Sequence, residues 1–211
     1  MAHILADDRF KAATLNEVLA MVPTSPERLR RRSDWVRAEA LIRLRIAEEA
    51  LGRQSPGEAD GQATALDDKL KSSLAFNPTD SFLWLVLYSL EITRHGFEEG
   101  AVGFLSKSYE TGPLEGWISL RRNNVALAAF ASLSAGTQAV VVAEFSAMVD
   151  SDFVEIAARN LMGGGWKEKD RLVASLANVE LIPREAFAKR LSREGLKVSI
   201  PGVYLDERLW R

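Results

Sequence analysis

The feature that most constrains the fold is an apolar run at residues 82–92, in which Ser89 and Glu91 are the only polar residues. A helix that is apolar on all sides belongs in a protein core or a bilayer, and a bilayer span takes about 20 residues. Asn77-Pro78-Thr79-Asp80 supplies a helix start and His95-Gly96 a helix stop. The pattern therefore predicts a buried helix over 79–95 rather than a buried strand, and we expect the other elements to pack around it.

Helical spacing and stop signals divide the rest of the chain into about ten helices, and no pair of strands is indicated. Short loops make consecutive helices antiparallel neighbours, so we predict one all-α domain over 1–211. The segment 53–62 is rich in glycine and predicts a loop. It would separate an N-terminal helical hairpin (1–52) from a helical array (63–195), which a short extended tail (196–211) follows.

Composition excludes several classes of function. The 27 basic and 29 acidic residues give a net charge of −2, which favours neither nucleic acid nor anionic lipid as a partner. The chain has no cysteine, which excludes disulfides, thiol chemistry and metal sites with cysteine ligands. Its two histidines are His3 and His95. His95 is predicted at a helix end, where an imidazole interacts favourably with the helix dipole. We expect no metal, no cofactor and no membrane span. The expected location is cytoplasmic, or periplasmic or membrane-associated if an N-terminal anchor precedes this chain.

A repeat is visible in the middle of the chain. Pro78 and Pro113 are 35 residues apart, and Gly96 followed by Ala101 supplies small residues where two helices could approach. The matching positions before and after each proline are Leu70 with Leu105, Ser73 with Ser108, and Trp84-x-x-Leu87 with Trp117-x-x-Leu120. With this pattern, residues 63–133 resemble a tetratricopeptide repeat, whose period is about 34 residues.

The resemblance implies an α-solenoid in which helix pairs stack and leave a concave binding surface. Proteins of that family bind peptides or partner proteins, and some bacterial members assist envelope polysaccharide or lipopolysaccharide assembly. The family has no catalytic residues to transfer, so we expect a non-enzymatic scaffold or adaptor. The alternatives are a generic helical bundle, a structural subunit that forms homo-oligomers, and a small helical enzyme or ligand-binding protein.

The candidate partner-binding residues are Trp117 and, one turn further along a predicted repeat helix, Arg121, Arg122 and Asn124. In a concave groove, the arginines would clamp a carboxylate because a guanidinium offers a bidentate fork. The asparagine would pair with peptide groups. The alternative is an exposed patch on the convex side.

Two further patterns lead to expectations. Gly163-Gly164-Gly165 lacks the spacing of a phosphate-binding loop and predicts a helix end with a hinge. The tryptophans are predicted to anchor the core, except Trp210 near the end of the chain, which we expect to contact a partner because aromatic side chains dominate interface energetics.

Overall fold

The computed structural model describes residues 12–20, 29–52 and 56–204. Over these ranges the chain forms ten α-helices with three short 3-10 segments and no strand. The helices are α1 (Ala12–Ala20), α2 (Leu29–Gly52), α3 (Pro56–Phe76), α4 (Ser81–His95), α5 (Glu99–Thr111), α6 (Gly116–Ala128), α7 (Ala135–Asp150), α8 (Val154–Met162), α9 (Lys169–Ser175) and α10 (Leu181–Arg193). The prediction of an all-α fold with consecutive helices packed in pairs is confirmed.

The chain divides into two compact units, of which the first ends at Phe97 and the second begins at Glu98. Helix α4 belongs to the first unit and packs against α3. The expectation that the whole chain packs around α4 is therefore wrong. The division also falls between the two helices, α4 and α5, that the repeat pattern pairs.

Within its own unit, α4 is the buried helix that its sequence predicts. Eight of its 15 residues are buried, which leaves it a narrow polar side. Asp80 caps its N-terminus by accepting a hydrogen bond from the Leu83 amide, and Gly96 ends it at a φ of 77°, where glycine is favoured. His95 lies exposed in the last turn, 3.7 Å from Glu91. The predicted start, stop and histidine position are confirmed.

The predicted loop over 53–62 is wrong for residues 56–62, which form the first turns of α3; residues 53–55 lie outside the described ranges. Pro56 occupies the first helical position, where its missing amide hydrogen costs nothing. Each helical glycine costs about 1 kcal/mol relative to alanine. Burial of Leu66 and Leu70, and the long packing contact of α3 with α2, offset that cost.

The N-terminal helices belong to the same packing arrangement as α3. Leu15 and Leu19 of α1 pack against Ile42 and Ile46 of α2, as the predicted hairpin requires. On its other side α2 packs along α3, where the Lys69 ammonium lies 2.9 Å from the Glu39 carboxylate. The described part of 1–52 therefore packs on the helices that follow it.

Asp80 links α4 to α2, because its second carboxylate oxygen accepts a hydrogen bond from the Arg37 guanidinium. Losing a helix cap costs about 0.5–2 kcal/mol, and this ion pair is largely shielded from solvent. We expect Asp80→Ala to lower the free energy of unfolding of the first unit by about 2 kcal/mol, measured by urea denaturation. Asp80→Asn keeps the cap and loses only the ion pair, so it should cost less; equal losses would contradict the assignment of the cap.

In the second unit the central element is α7, which packs against α6, α8, α9 and α10. Its Phe145 is fully buried and meets Phe187 of α10 edge to face, with ring centroids 5.8 Å apart. The described tail, 196–204, is not helical, as predicted. Arg184 holds this tail against α10 by donating a hydrogen bond to the Pro201 carbonyl at 2.6 Å. Trp210, which was predicted to contact a partner, lies outside the described residues.

The triple glycine is a close-packing site, so the predicted hinge is not supported. Gly163 does end α8, but residues 164–168 form a 3-10 turn against the end of α6. A Cβ on Gly164 would lie 2.7 Å from the backbone nitrogen of Ala128. A Cβ on Gly165 would lie 2.9 Å from the Asn160 carbonyl oxygen. Only glycine lets the two backbones approach this closely.

The prediction that the tryptophans anchor the core is wrong for three of the four described ones. Trp35 is 44% exposed, and Trp117 and Trp166 are each 40% exposed. Trp84 is partly buried, and its indole donates to the Pro78 carbonyl at 2.8 Å. Leucine, alanine and valine make up most of the buried apolar residues instead, and the three exposed tryptophans keep part of their surface in solvent.

Candidate functional site

Three of the four predicted binding residues share one face of α6. Trp117, Arg121 and Asn124 are spaced i, i+4, i+7, which places them in one stripe along the helix. Trp117 and Asn124 are exposed and Arg121 is half-buried. The structure therefore brings these three together on an accessible surface.

Arg122 is not part of that surface, and its predicted role as a groove residue is wrong. It lies about 100° around the helix from Arg121, and its side chain is 0% exposed. A guanidinium in this position contacts no partner, because it is enclosed by the helices of its own unit.

The turn before α6 adds an exposed residue three positions before Trp117. Leu114 has a φ of 58°, the left-handed region that costs a residue with a Cβ about 1–2 kcal/mol. Leu114 is 53% exposed, so the free energy gained by burying its side chain is too small to offset that strain. Leu114, Trp117, Arg121 and Asn124 are together called the α6 surface below.

Behind this surface lies a buried polar cluster whose members come from four helices, α5, α6, α7 and α8. Every member is at most 3% exposed. The members are Ser108, Tyr109, Ser119, Arg122, Asn123, Glu144 and Asn160.

Arg122 uses all of its hydrogen-bonding capacity inside the cluster. Nη1 donates to the carbonyl oxygen (2.6 Å) and the hydroxyl (3.1 Å) of Ser108, and Nη2 donates to the Gly112 carbonyl (3.0 Å) and to Glu144 Oε1 (2.6 Å). Nε donates to the same carboxylate oxygen at 3.2 Å. The guanidinium also lies over the Tyr109 ring, 3.9 Å from its centroid. The guanidinium thus makes five hydrogen bonds to four acceptor oxygens, because Glu144 Oε1 accepts two of them.

Glu144 is the acceptor at the centre of the cluster. Besides Arg122, its Oε1 accepts from the Ser119 hydroxyl at 2.7 Å, and its Oε2 accepts from the Tyr109 hydroxyl at 2.7 Å. The Asn123 amide lies 3.4 Å from Oε2 and donates to the Val141 carbonyl. A buried charge is tolerated when it is paired and hydrogen-bonded in this way.

Burial raises the pKa of the Tyr109 phenol well above its ordinary value, and the neighbouring Glu144 carboxylate raises it further. The phenol therefore keeps its proton and acts as a hydrogen-bond donor to the carboxylate. At its far end the cluster reaches α8, where the Asn160 amide donates to Asn123 Oδ1 at 3.1 Å. The cluster fixes the relative positions of four helices through directional bonds.

Sequence reasoning missed the cluster, although two signals for it were present. The buried stripe of α6 runs through Ile118, Ala126 and Leu127 and includes polar residues at the intervening positions. In α7, Glu144 is the one charged residue between Ala135 and Val149. A lone carboxylate on an apolar helix, and an arginine within an apolar stripe, together indicate a buried pair.

Other candidate sites are weaker. A shallow pocket of about 270 Å³ is lined by Met162, Trp166, Glu194 and Leu196; the Arg190 guanidinium already binds the Glu194 carboxylate. Within the described residues, no group of three or more histidine or acidic side chains is arranged to hold a metal ion. Across the same residues, no helix combines the length and apolar character that a membrane span requires.

The tetratricopeptide resemblance stays a prediction that rests on the sequence pattern of residues 63–133. The structure adds the helix pairs and the position of the α6 surface, but neither is specific to that family. We compared the chain with models of protein families, with curated proteins and with solved structures, and none of the three comparisons gave a match.

Proposed function

We propose that this protein is a non-enzymatic scaffold that binds a peptide or protein segment at the α6 surface. The observation that supports the proposal is Leu114, an apolar side chain half in solvent on a backbone held in the left-handed region. Strained residues persist where the surrounding structure enforces them, and they are enriched at functional sites. Trp117 follows on the next turn, and partly exposed tryptophan is a frequent anchor of interfaces.

The chemistry of the α6 surface defines the kind of segment that fits it. Leu114 and Trp117 offer apolar area, while Arg121 and Asn124 add a guanidinium and a carboxamide along the same helix face. A guanidinium pairs best with a carboxylate, and a carboxamide can both donate to and accept from a peptide group. We therefore expect the preferred segment to carry an apolar side chain close to an acidic one.

Selection from a random peptide library displayed on phage, with the full chain as bait, tests this proposal. Synthetic versions of the enriched peptides should bind with an affinity that Trp117→Ala lowers by at least about 10-fold, the loss expected of an anchor residue. Trp166→Ala is the matched control, because Trp166 is equally exposed and lies on another segment. Isothermal titration calorimetry measures both.

Two outcomes would contradict the proposal. One is a selection in which no peptide is enriched, and the other is an equal loss of affinity in the Trp117 and Trp166 variants. Sedimentation velocity over a range of concentrations examines the alternative of self-association. If the chain forms oligomers that Trp117→Ala dissociates, the partner at the α6 surface is a second copy of the chain.

A further inference from the structure

We infer that the buried Arg122–Glu144 pair is the positioning element of the α6 surface, holding residues 112–115 in the conformation that presents Leu114 and Trp117. This inference rests on the proposed function, because it assigns a role in partner binding to two buried residues that do not themselves contact a partner. It starts from the strain at Leu114. A left-handed leucine relaxes to an ordinary conformation unless its neighbours prevent it.

This relaxation is opposed by hydrogen bonds to backbone carbonyl groups on either side of the turn. Before the turn, Arg122 donates to the carbonyl oxygens of Ser108 and Gly112, at 2.6 and 3.0 Å. One guanidinium thus spans the last turn of α5 and the residue that follows it. Pro113 comes next, and its ring fixes its own φ. The entry to Leu114 is therefore set by Arg122.

After the turn, the Glu144 carboxylate restrains the backbone through Ser119. The Glu115 carbonyl accepts from the amides of Ile118 and Ser119, at 2.9 and 2.8 Å. The Ser119 hydroxyl lies 3.1 Å from that carbonyl oxygen and 2.7 Å from Glu144 Oε1. Glu144 therefore fixes Arg122 on one side of Leu114 and Ser119 on the other. Leu114 therefore lies between two backbone segments that the same ion pair restrains.

Such an arrangement favours binding because the turn is ordered before a partner arrives. Ordering a side chain or loop on binding costs free energy that a preorganised surface does not lose. The rigidity comes from side chains buried behind the surface, so substitutions that never touch a partner should weaken its binding. Arg122 and Glu144 are positioning residues in this sense, and the contacts are made by the α6 surface.

The test compares two changes to the cluster in the full chain, without a partner. Arg122→Met combined with Glu144→Gln removes both charges and the bonds to the turn, and it leaves an amide oxygen as an acceptor for Tyr109. Asn160→Ala is the matched control, since it removes a buried bond at the end of the cluster that does not reach the turn. Native-state hydrogen exchange then reports on the amides of Gly112, Ile118 and Ser119, which bond within and beside the turn.

We expect the double variant to speed exchange at these three amides by at least about 10-fold relative to the amides of α10, whereas Asn160→Ala leaves that ratio unchanged. With 5-fluorotryptophan incorporated, the fluorine resonance of Trp117 should shift or broaden in the double variant while that of Trp166 stays in place. If both variants loosen the turn equally, or neither does, the positioning role is wrong. If the double variant cannot be folded, Arg122→Lys takes its place, because a lysine cannot reach both carbonyls and the carboxylate at once.

The outcome is separable from that of the proposed function. Exchange and fluorine spectra are recorded on the free protein, so a rigid turn that loosens as expected supports positioning even if no peptide is selected. A peptide that binds through Trp117 and is insensitive to the double variant supports the binding site and overturns the positioning role.

Discussion

Replacing Glu144 with alanine is expected to lower the free energy of unfolding of the second unit by about 3–5 kcal/mol. The substitution leaves the Arg122 guanidinium in the interior without its counter-charge, with 0% of its side chain exposed. It also removes the acceptor of the Ser119 and Tyr109 hydroxyls. The loss should be read from native-state hydrogen exchange of the α7 amides, because that measurement reports on the second unit separately from the first.

Two comparisons isolate the electrostatic cause. Arg122→Met combined with Glu144→Leu removes both charges at once, and we expect it to be less destabilising than Glu144→Ala alone, because no unpaired charge remains. Lys107→Ala removes one partner of an exposed ion pair in the same unit, between Lys107 and Glu110, and should change stability by about 0.5 kcal/mol or less. A double variant as unstable as the single one would show that lost packing, rather than the unpaired charge, causes the effect.

The buried pair illustrates where prediction from the sequence stops. The apolar run at 82–92, its cap at Asp80 and its stop at Gly96 predicted α4, because all of these signals lie in one continuous stretch of the chain. The partners of Arg122 are Ser108, Gly112 and Glu144, which come from three segments. The apolar stripe of α6 separates Arg122 from the adjacent Arg121, but it does not reveal which carbonyl groups and which carboxylate Arg122 meets.

The loop prediction failed at residues 56–62 because it rested on local preference alone. Glycine and proline report local preference, and each is worth about 1–3 kcal/mol in a helix interior. Pro56 lies at the first helical position, where that cost does not arise. Burial of Leu66 and Leu70 in α3 stabilises the helix by more than its glycines destabilise it. The candidate surface was partly predictable, since Trp117, Arg121 and Asn124 follow helical spacing, but the backbone conformation of Leu114 has no signal in the sequence.

The triple glycine is the second position at which a single substitution should have a large effect. We expect Gly164→Ala to lower the free energy of unfolding of the second unit by about 3 kcal/mol, near the upper end for overpacking. The new Cβ would lie 2.7 Å from the Ala128 nitrogen and 3.0 Å from its Cα. Both atoms are backbone, so no flexible side chain can move aside, and the 3-10 turn and the end of α6 have to separate.

The same substitution at Gly103 should have the opposite sign, which makes the pair a sharp test. Gly103 lies exposed in the interior of α5, and a Cβ there meets no atom within 4 Å. Alanine should therefore stabilise α5 by about 0.5–1 kcal/mol through helix propensity and a less flexible unfolded chain. Hydrogen exchange of the α7 amides measures the change in the free energy of unfolding for both variants. A hinge at Gly164 would tolerate alanine about as well as Gly103 does, whereas close packing of two backbones requires the two variants to shift in opposite directions.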